Sequence, residues 1–218
     1  MKALVLDFGG PVLKTPFEVL RGGEQRAGIL AGSLDWTGPF DPAADGDWQL
    51  QQSGVITERE YWQRKADQFG SLTGRPSTFP GLMGVLFDAP EDELVRAGAR
   101  DLIVAAKSAG YVVAVCTNDL RAFHGDKSLD HLTILNQVDL LVDGSVEHVL
   151  KPDPAIYHLV TDRLGLAGQD CLFVDDQPIN VAGAEAVGMS ALWFDVVHPE
   201  RSYQQIRTLL ELRRRDVL

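Results

Sequence analysis

Residues 1–10 read MKALVLDFGG: a four-residue apolar run, Ala3 to Leu6, ended by Asp7 and followed by Phe8 and two glycines. The run is continuous rather than alternating, which suits a strand covered on both faces. Tyr111 to Cys116, Cys171 to Val174 and Ala191 to Phe194 have the same character, and Leu140-Leu141-Val142 is a weaker fifth run. Helical patterns lie between them. Glu93 to Ala109 carries Leu94, Ala97, Leu102, Ala105 and Ala106 at helical spacing and stops at Gly110. Asp153-Pro154 opens another helix, with Asp as N-cap and Pro in the first turn, which runs from Ala155 to Leu164 and closes at Gly165. Strands alternating with helices of this length predict an α/β fold built from βαβ units around a parallel sheet.

The alternation breaks between residues 14 and 87, where no strand pattern occurs. Thr57-Glu58-Arg59-Glu60 is a capping box, with Thr at the N-cap and Glu three residues on. Tyr61, Trp62, Ala66 and Phe69 then mark one apolar face, and Gly70 is expected to end that helix. The stretch from Gly32 to Gly46, rich in Gly, Asp and Pro, reads as loop. The expected organisation is a core of residues 1–13 and 88–218 with an all-helical insertion, 14–87, after the first strand. Trp36, Trp48, Tyr61 and Trp62 are expected in the core of that insertion. A last helix begins near Pro199 and is closed by Arg213-Arg214-Arg215, cations suited to a helix C-terminus.

Composition narrows the function. The chain has 218 residues, 45% of them hydrophobic, which excludes a disordered chain. Thirty-one acidic and 20 basic residues give a net charge of −11, which argues against nucleic-acid or anionic-membrane partners. No stretch approaches the about 18 to 20 apolar residues of a membrane span, and the first apolar run is too short for a secretion signal. A cytoplasmic protein, monomeric or homodimeric, is expected. Two cysteines, Cys116 and Cys171, are too few for a disulfide framework and sit in apolar runs. The five histidines show no metal-ligand spacing.

In an open parallel sheet, function gathers at the carboxyl ends of the strands. There the sequence places Asp7 to Gly10, Thr117-Asn118-Asp119, and Asp175-Asp176 with Asn180 beyond; Lys151 lies just before the Asp153-Pro154 helix start. An aspartate at a strand end can attack a phosphorus or carbon centre. Gly9 and Gly10 let the backbone bend and bring amides near an anion. Thr117 and Lys151 can hold phosphoryl oxygens. The Asp175-Asp176 pair would repel an anionic substrate unless a divalent cation sits between, and hard oxygen ligands suit Mg²⁺.

These stretches resemble the haloacid dehalogenase superfamily of hydrolases, subfamily IA-like and close to the branch that contains the phosphatase domain of soluble epoxide hydrolase and bacterial sugar-1-phosphatases. The matching segments are LVLDFGGPVL around Asp7, AVCTND around Thr117, KPDPAIY from Lys151 and FVDDQPINVAGAEAVGM around Asp175-Asp176. The resemblance implies a Rossmann-like three-layer sandwich with a helical cap domain at 14–87, and a Mg²⁺-dependent phosphatase for a small phosphorylated metabolite. It implies Asp7 as nucleophile, with Thr117, Lys151 and Asp175 completing the catalytic set. Gly9, Gly10, Thr117, Asn118, Lys151 and Asn180 would line the phosphate site. Asp7, the Gly9 carbonyl and Asp176 would ligate the metal.

One position departs from the family. Most of its phosphatases carry a general acid two residues after the nucleophile, where this chain has Gly9. A general acid is worth about 10²- to 10⁴-fold, so either a substrate with a good leaving group, such as a sugar-1-phosphate, or an acid supplied by the cap is expected. Asp119 and His124 are further acid candidates, with a surface-loop role weighed above that. Two other readings stay open: a metal-independent carbon–halogen hydrolase, and a catalytically weak or regulatory protein on the same fold.

Overall fold

The computed structural model describes residues 1–124 and 132–212. In chain order the elements are β1 (Ala3–Leu6), α1 (Pro16–Ala27), α2 (Gly46–Gln52), α3 (Glu58–Thr73), α4 (Phe79–Leu86), α5 (Glu91–Leu94), α6 (Ala97–Ser108), β2 (Val112–Thr117), α7 (Leu120–His124), β3 (Leu140–Asp143), α8 (Gly144–Glu147), α9 (Pro154–Leu164), β4 (Cys171–Asp175), α10 (Pro178–Ala186), β5 (Ser190–Trp193) and α11 (Pro199–Leu209). They fall into two compact units. One contains residues 1–14, 91–120 and 132–212; the other contains 15–90 and 121–124.

The first unit is an α/β sandwich on a five-stranded sheet in the order β3-β2-β1-β4-β5, with every pairing parallel. The five apolar runs form the five strands, the weak Leu140 run included. One face of the sheet carries Ala3, Val5, Ala114, Cys116, Cys171 and Phe173 under Ile156, Tyr157 and Val160 of α9 and Ala184 of α10. Alternate residues point to the other face, where α6 packs on β2 and α11 packs on α6. Leu4, Val5, Val113, Val115, Leu172 and Phe173 are all fully buried, which explains why these strands lack a polar alternation. Cys116 and Cys171 are buried free thiols, and burial pushes the Cys116 thiol up to about 12, which leaves it inert.

The helix expected over Glu93–Ala109 is two helices. Val95 makes an antiparallel bridge to Leu13, and the Arg96 amide donates to the Val12 carbonyl at 3.0 Å. Those bonds take the backbone out of the helical ladder at Val95-Arg96, a long-range event that local periodicity does not register. Asp153-Pro154 starts α9 as expected: the Asp153 side chain accepts from the Ala155 amide, and Gly165 closes the helix with φ +64°.

The second unit is helical. The Thr57–Glu60 capping box forms at the start of α3, with both reciprocal bonds present. The helix runs past Gly70 to Thr73 and is capped by Gly74. Gly70 lies inside because the chain returns against it: a Cβ there would overlap the Ser77 hydroxyl and come within 3.0 Å of the Arg75 carbonyl. Gly70→Ala is expected to destabilise the protein by about 1–3 kcal/mol through overpacking, measured by denaturant unfolding. Trp36, Tyr61 and Trp62 are buried, while Trp48 is half-buried against Phe17 with ring centroids 5.5 Å apart. A polar lock supports this core. Asp45 accepts from the Tyr61 hydroxyl at 2.8 Å and the Trp48 amide at 3.0 Å, and pairs with Lys65 at 3.2 Å. The stretch expected as loop from Gly32 to Gly46 is loop as far as Asp45 apart from a single 3₁₀ turn, Gly38–Phe40; Gly46 already opens α2, with Asp45 as its N-cap.

The last helix begins at Pro199 as expected; Arg213-Arg214-Arg215 lies outside the described residues. No helix of the described residues is long and apolar enough to cross a membrane.

Candidate active site

Strand register assembles the site. Leu6 lies beside Val115 of β2 on one side and beside Val174 of β4 on the other. The three strands therefore end together, which brings Asp7, Thr117 and Asp175 to one edge of the sheet. The chain leaves β1 for β2 on one side and later reaches β4 on the other, so this edge is the point where the strand order reverses. A crevice at such a point is where ligands bind in open α/β sheets.

Lys151 ties these ends together. Its ammonium donates to Asp7 Oδ1 at 2.8 Å and to Asp175 Oδ2 at 2.6 Å. The side chains of Lys151 and Asp175 are 1% and 0% exposed, while Asp7 keeps 13%. Burial alone pulls the ammonium down, but the Asp175 and Asp7 carboxylates outweigh it and hold Lys151 well above its ordinary value. Asn118 fixes the lysine by its backbone: its Oδ1 accepts from the Lys151 amide at 2.6 Å, and its Nδ2 donates to the Lys151 carbonyl at 3.1 Å. Asn180, on the first turn of α10, is buried and donates to both oxygens of Asp175 at 3.2 Å. Asp175 Oδ1 also accepts from the Gln177 amide at 2.8 Å. Asp175 thus organises the lysine and the entry to α10, and Gln177 takes the N-cap position of that helix.

Asp7, Asp175 and Asp176 each offer a carboxylate oxygen within 4.8 Å of the others. Burial raises Asp7 most; Lys151 counteracts it, Asp175 adds to it, and the group is pushed up to about 6. The Gly10 backbone, at φ +83°, runs directly under Asp176: a Cβ there would stand 2.8 Å from the Asp176 carboxyl carbon. Only glycine fits a left-handed backbone this close to a side chain. Gly9 is exposed and flanks Asp7. Thr117, the last residue of β2, is buried beside Asp143 of β3.

A family model described as haloacid dehalogenase-like hydrolase matches residues 1–188. The chain belongs to this family. It is a haloacid dehalogenase-like hydrolase similar to (S)-2-haloacid dehalogenase 4A of Burkholderia cepacia, 25% identical over 206 residues, or 88% of this chain and 82% of that one. It is also similar to a phosphatase of Mycobacterium tuberculosis, 31% identical over 114 residues, 48% of this chain and 52% of that one. It spans only 19% of a longer mouse relative, acyl-CoA dehydrogenase family member 10, at 25% identity. Among solved structures, the magnesium-bound hydrolase YfnB of Bacillus subtilis superposes with a TM-score of 0.70 over 97% of this chain and 99% of that one, at 15% identity, which establishes the shared fold.

Two residues of this haloacid dehalogenase-like hydrolase correct the surface-loop reading. Asp119 is buried in the α/β unit, directly after Asn118. His124, in the helical unit, is half-buried against Phe87, and burial pulls it down to about 4. Its imidazole is neutral near pH 7 and carries no acidic proton of useful strength. Other contacts around the site carry no local sequence signal. The Trp193 indole donates to the Asp176 carbonyl at 2.9 Å, and the Tyr157 hydroxyl to the Asn180 carbonyl at 2.8 Å. Tyr157 lies in the KPDPAIY stretch, but nothing local in that stretch announces its bond to α10.

Proposed function

We propose that this hydrolase is a Mg²⁺-dependent phosphatase for a small phosphorylated metabolite, acting through an aspartyl-phosphate on Asp7. The observation that carries the reading is the carboxylate cluster with a lysine at its side. A carbon–halogen hydrolase needs one nucleophilic carboxylate; three crowded ones, with Asp7 pushed up to about 6, favour a hard divalent cation. The donor set is all oxygen, which fits Mg²⁺, and Asp7, Asp176 and the Gly9 carbonyl would hold it. When bound, the cation neutralises charge on the phosphoryl group.

The residues then have distinct tasks. Lys151 and Thr117 bind phosphoryl oxygens and orient the ester. Asp7 attacks phosphorus, the bond from phosphorus to the leaving oxygen breaks, and water later cleaves the acyl phosphate to return the carboxylate and release inorganic phosphate. Asp175 and Asn180 hold Lys151 in place, and Asn118 fixes its backbone. The inserted helical segment, residues 14–87, is assigned to substrate choice as a cap domain. Gly9 leaves the departing oxygen without the usual acid, which favours an anomeric phosphate over an alkyl one.

The decisive assay offers p-nitrophenyl phosphate and a panel of phosphorylated metabolites with Mg²⁺, with EDTA, and with Mg²⁺ restored. Phosphate release that stops in EDTA and returns with Mg²⁺ is expected. The similarity to a haloacid dehalogenase supports the second reading, which that assay also separates: halide release from 2-haloacids in EDTA, without phosphate release, would replace the phosphatase assignment. Gly9→Asp tests the missing acid. A Cβ at Gly9 approaches Asp7 Oδ2 no closer than 3.8 Å, an ordinary contact, so the side chain can be accommodated. Turnover of alkyl phosphates is expected to rise by up to about 10²-fold, with little change for anomeric ones. No gain would show that leaving-group protonation does not limit the reaction.

A further inference from the structure

The turn after Asp7 is gripped from behind by two buried side chains that lie far away in sequence. The turn closes on itself: the Gly10 amide donates to the Leu13 carbonyl at 2.9 Å, and the Leu13 amide donates to the Phe8 carbonyl at 2.7 Å. The Gly10 and Pro11 carbonyls remain, and both are taken up. Arg96, at the N-cap of α6, donates Nε–H to the Gly10 carbonyl at 2.6 Å. Tyr203, on α11, donates its hydroxyl to the Pro11 carbonyl at 2.7 Å. Arg96 is 7% exposed and Tyr203 3%.

The two side chains are braced against each other through Phe194. The Arg96 guanidinium lies 5.8 Å from the centroid of that ring, and the Phe194 and Tyr203 rings meet edge-on at 5.1 Å. Gly98 of α6 also lies directly against Tyr203, since a Cβ there would overlap its ring. Tyr203 therefore has little freedom to swing away. The same turn lies close to Asp176, since a Cβ on Gly10 would stand 2.8 Å from the carboxyl carbon. Phe194 and Tyr203 both lie beyond residue 188, where the family match ends.

We infer that Tyr203 and Arg96 are positioning residues: their bonds to the Pro11 and Gly10 carbonyls hold the turn against Asp176 and so set the spacing of Asp7 and Asp176 for a cation. This rests on the Mg²⁺-phosphatase reading above. Neither side chain touches a reacting atom. Their effect passes through the backbone, in the way outer hydrogen bonds tune metal ligands and support pre-organised sites.

The test uses the whole chain with Tyr203→Phe, which removes only the hydroxyl. Ile206→Val, on the same helix and fully buried, is the control for general loss of stability. Three quantities are measured: Mg²⁺ affinity by calorimetry, amide exchange of Gly10 and Leu13 in metal-free protein, and kcat and KM on p-nitrophenyl phosphate. Tyr203→Phe is expected to weaken Mg²⁺ binding and to lower kcat, each by about tenfold, to speed exchange at both amides, and to leave KM at saturating Mg²⁺ unchanged. Ile206→Val is expected to lower Tm alone. Wild-type Mg²⁺ affinity and kcat in Tyr203→Phe would overturn the inference even if Tm fell, as would an equal change in Ile206→Val. A wild-type protein that binds no Mg²⁺ would instead overturn the reading beneath it, and the inference with it.

Discussion

Asp7→Asn is expected to abolish turnover while leaving metal-free protein at least as stable as wild type. The amide has the shape of the carboxylate but is not a nucleophile, and removal of an attacking residue costs about 10⁴- to 10⁶-fold in kcat. The stability side follows from the surroundings of Asp7. Burial, reinforced by Asp175 and only partly offset by Lys151, raises its pKa from 3.8 to about 6. The folded state therefore holds the Asp7 proton more tightly than the unfolded chain does. In metal-free protein the contribution of this group falls as pH rises from about 4 to about 6 and stays unfavourable above that. A neutral amide removes that penalty, so denaturant unfolding of Asp7→Asn should lack this decline with pH. Mg²⁺ should reverse the order at neutral pH by stabilising wild type more than the variant, as a ligand bound only to the folded state does. Equal turnover in the two proteins would exclude Asp7 as nucleophile. A large loss of stability at neutral pH would show that its charge is structural.

The parts of the molecule legible in the sequence are those whose cause is local. A strand buried on both faces has no polar alternation, so Ala3–Leu6 and its counterparts stand out as continuous runs. The residues that follow such strands collect at one edge because parallel register makes them. For that reason the sequence alone brings Asp7, Thr117 and Asp175 to one place. Lys151 required more: it sits in a loop, and it is Asn118, 33 residues earlier and directly after β2, that holds its backbone in place. What was not legible depends on distant neighbours. Gly70 reads as a helix stop but lies within α3, because Ser77 and Arg75 return against it. The long helix expected from Glu93 breaks at Val95-Arg96 because Leu13 and Val12 claim that backbone. Tyr203 and Pro11 are 192 residues apart, and no spacing rule connects them. Asp119 follows the polar pair Thr117-Asn118 and reads as surface, yet the fold buries it.

Lys151→Met should fail in both stability and catalysis, and a second substitution can separate the two. The methionine keeps the length and apolar stem of the side chain but removes the cation that Asp7 and Asp175 share at 2.8 and 2.6 Å. Asp175 is fully buried, so its charge would lose its counter-ion with no access to water. Removing one partner of a buried ion pair costs about 3–5 kcal/mol, measured by denaturant unfolding without metal. The wild-type lysine supplies its contribution fully below the ordinary value of 10.5, because its folded pKa is raised, and loses it only as pH climbs beyond that. The loss in Lys151→Met should therefore be large at neutral pH. Turnover should fall by at least about 10²- to 10³-fold, the scale of losing one electrostatic donor to a transition state. Adding Asp175→Asn to Lys151→Met removes the stranded charge and keeps hydrogen-bonding capacity toward Gln177 and Asn180. The double variant should regain part of the lost stability, and the non-additivity measures the coupling directly. It should regain no turnover, because the cation expected to meet the phosphoryl group is still missing. Recovery of both together would mean that Lys151 serves only to neutralise Asp175. Recovery of stability alone assigns the lysine two separate tasks at one position.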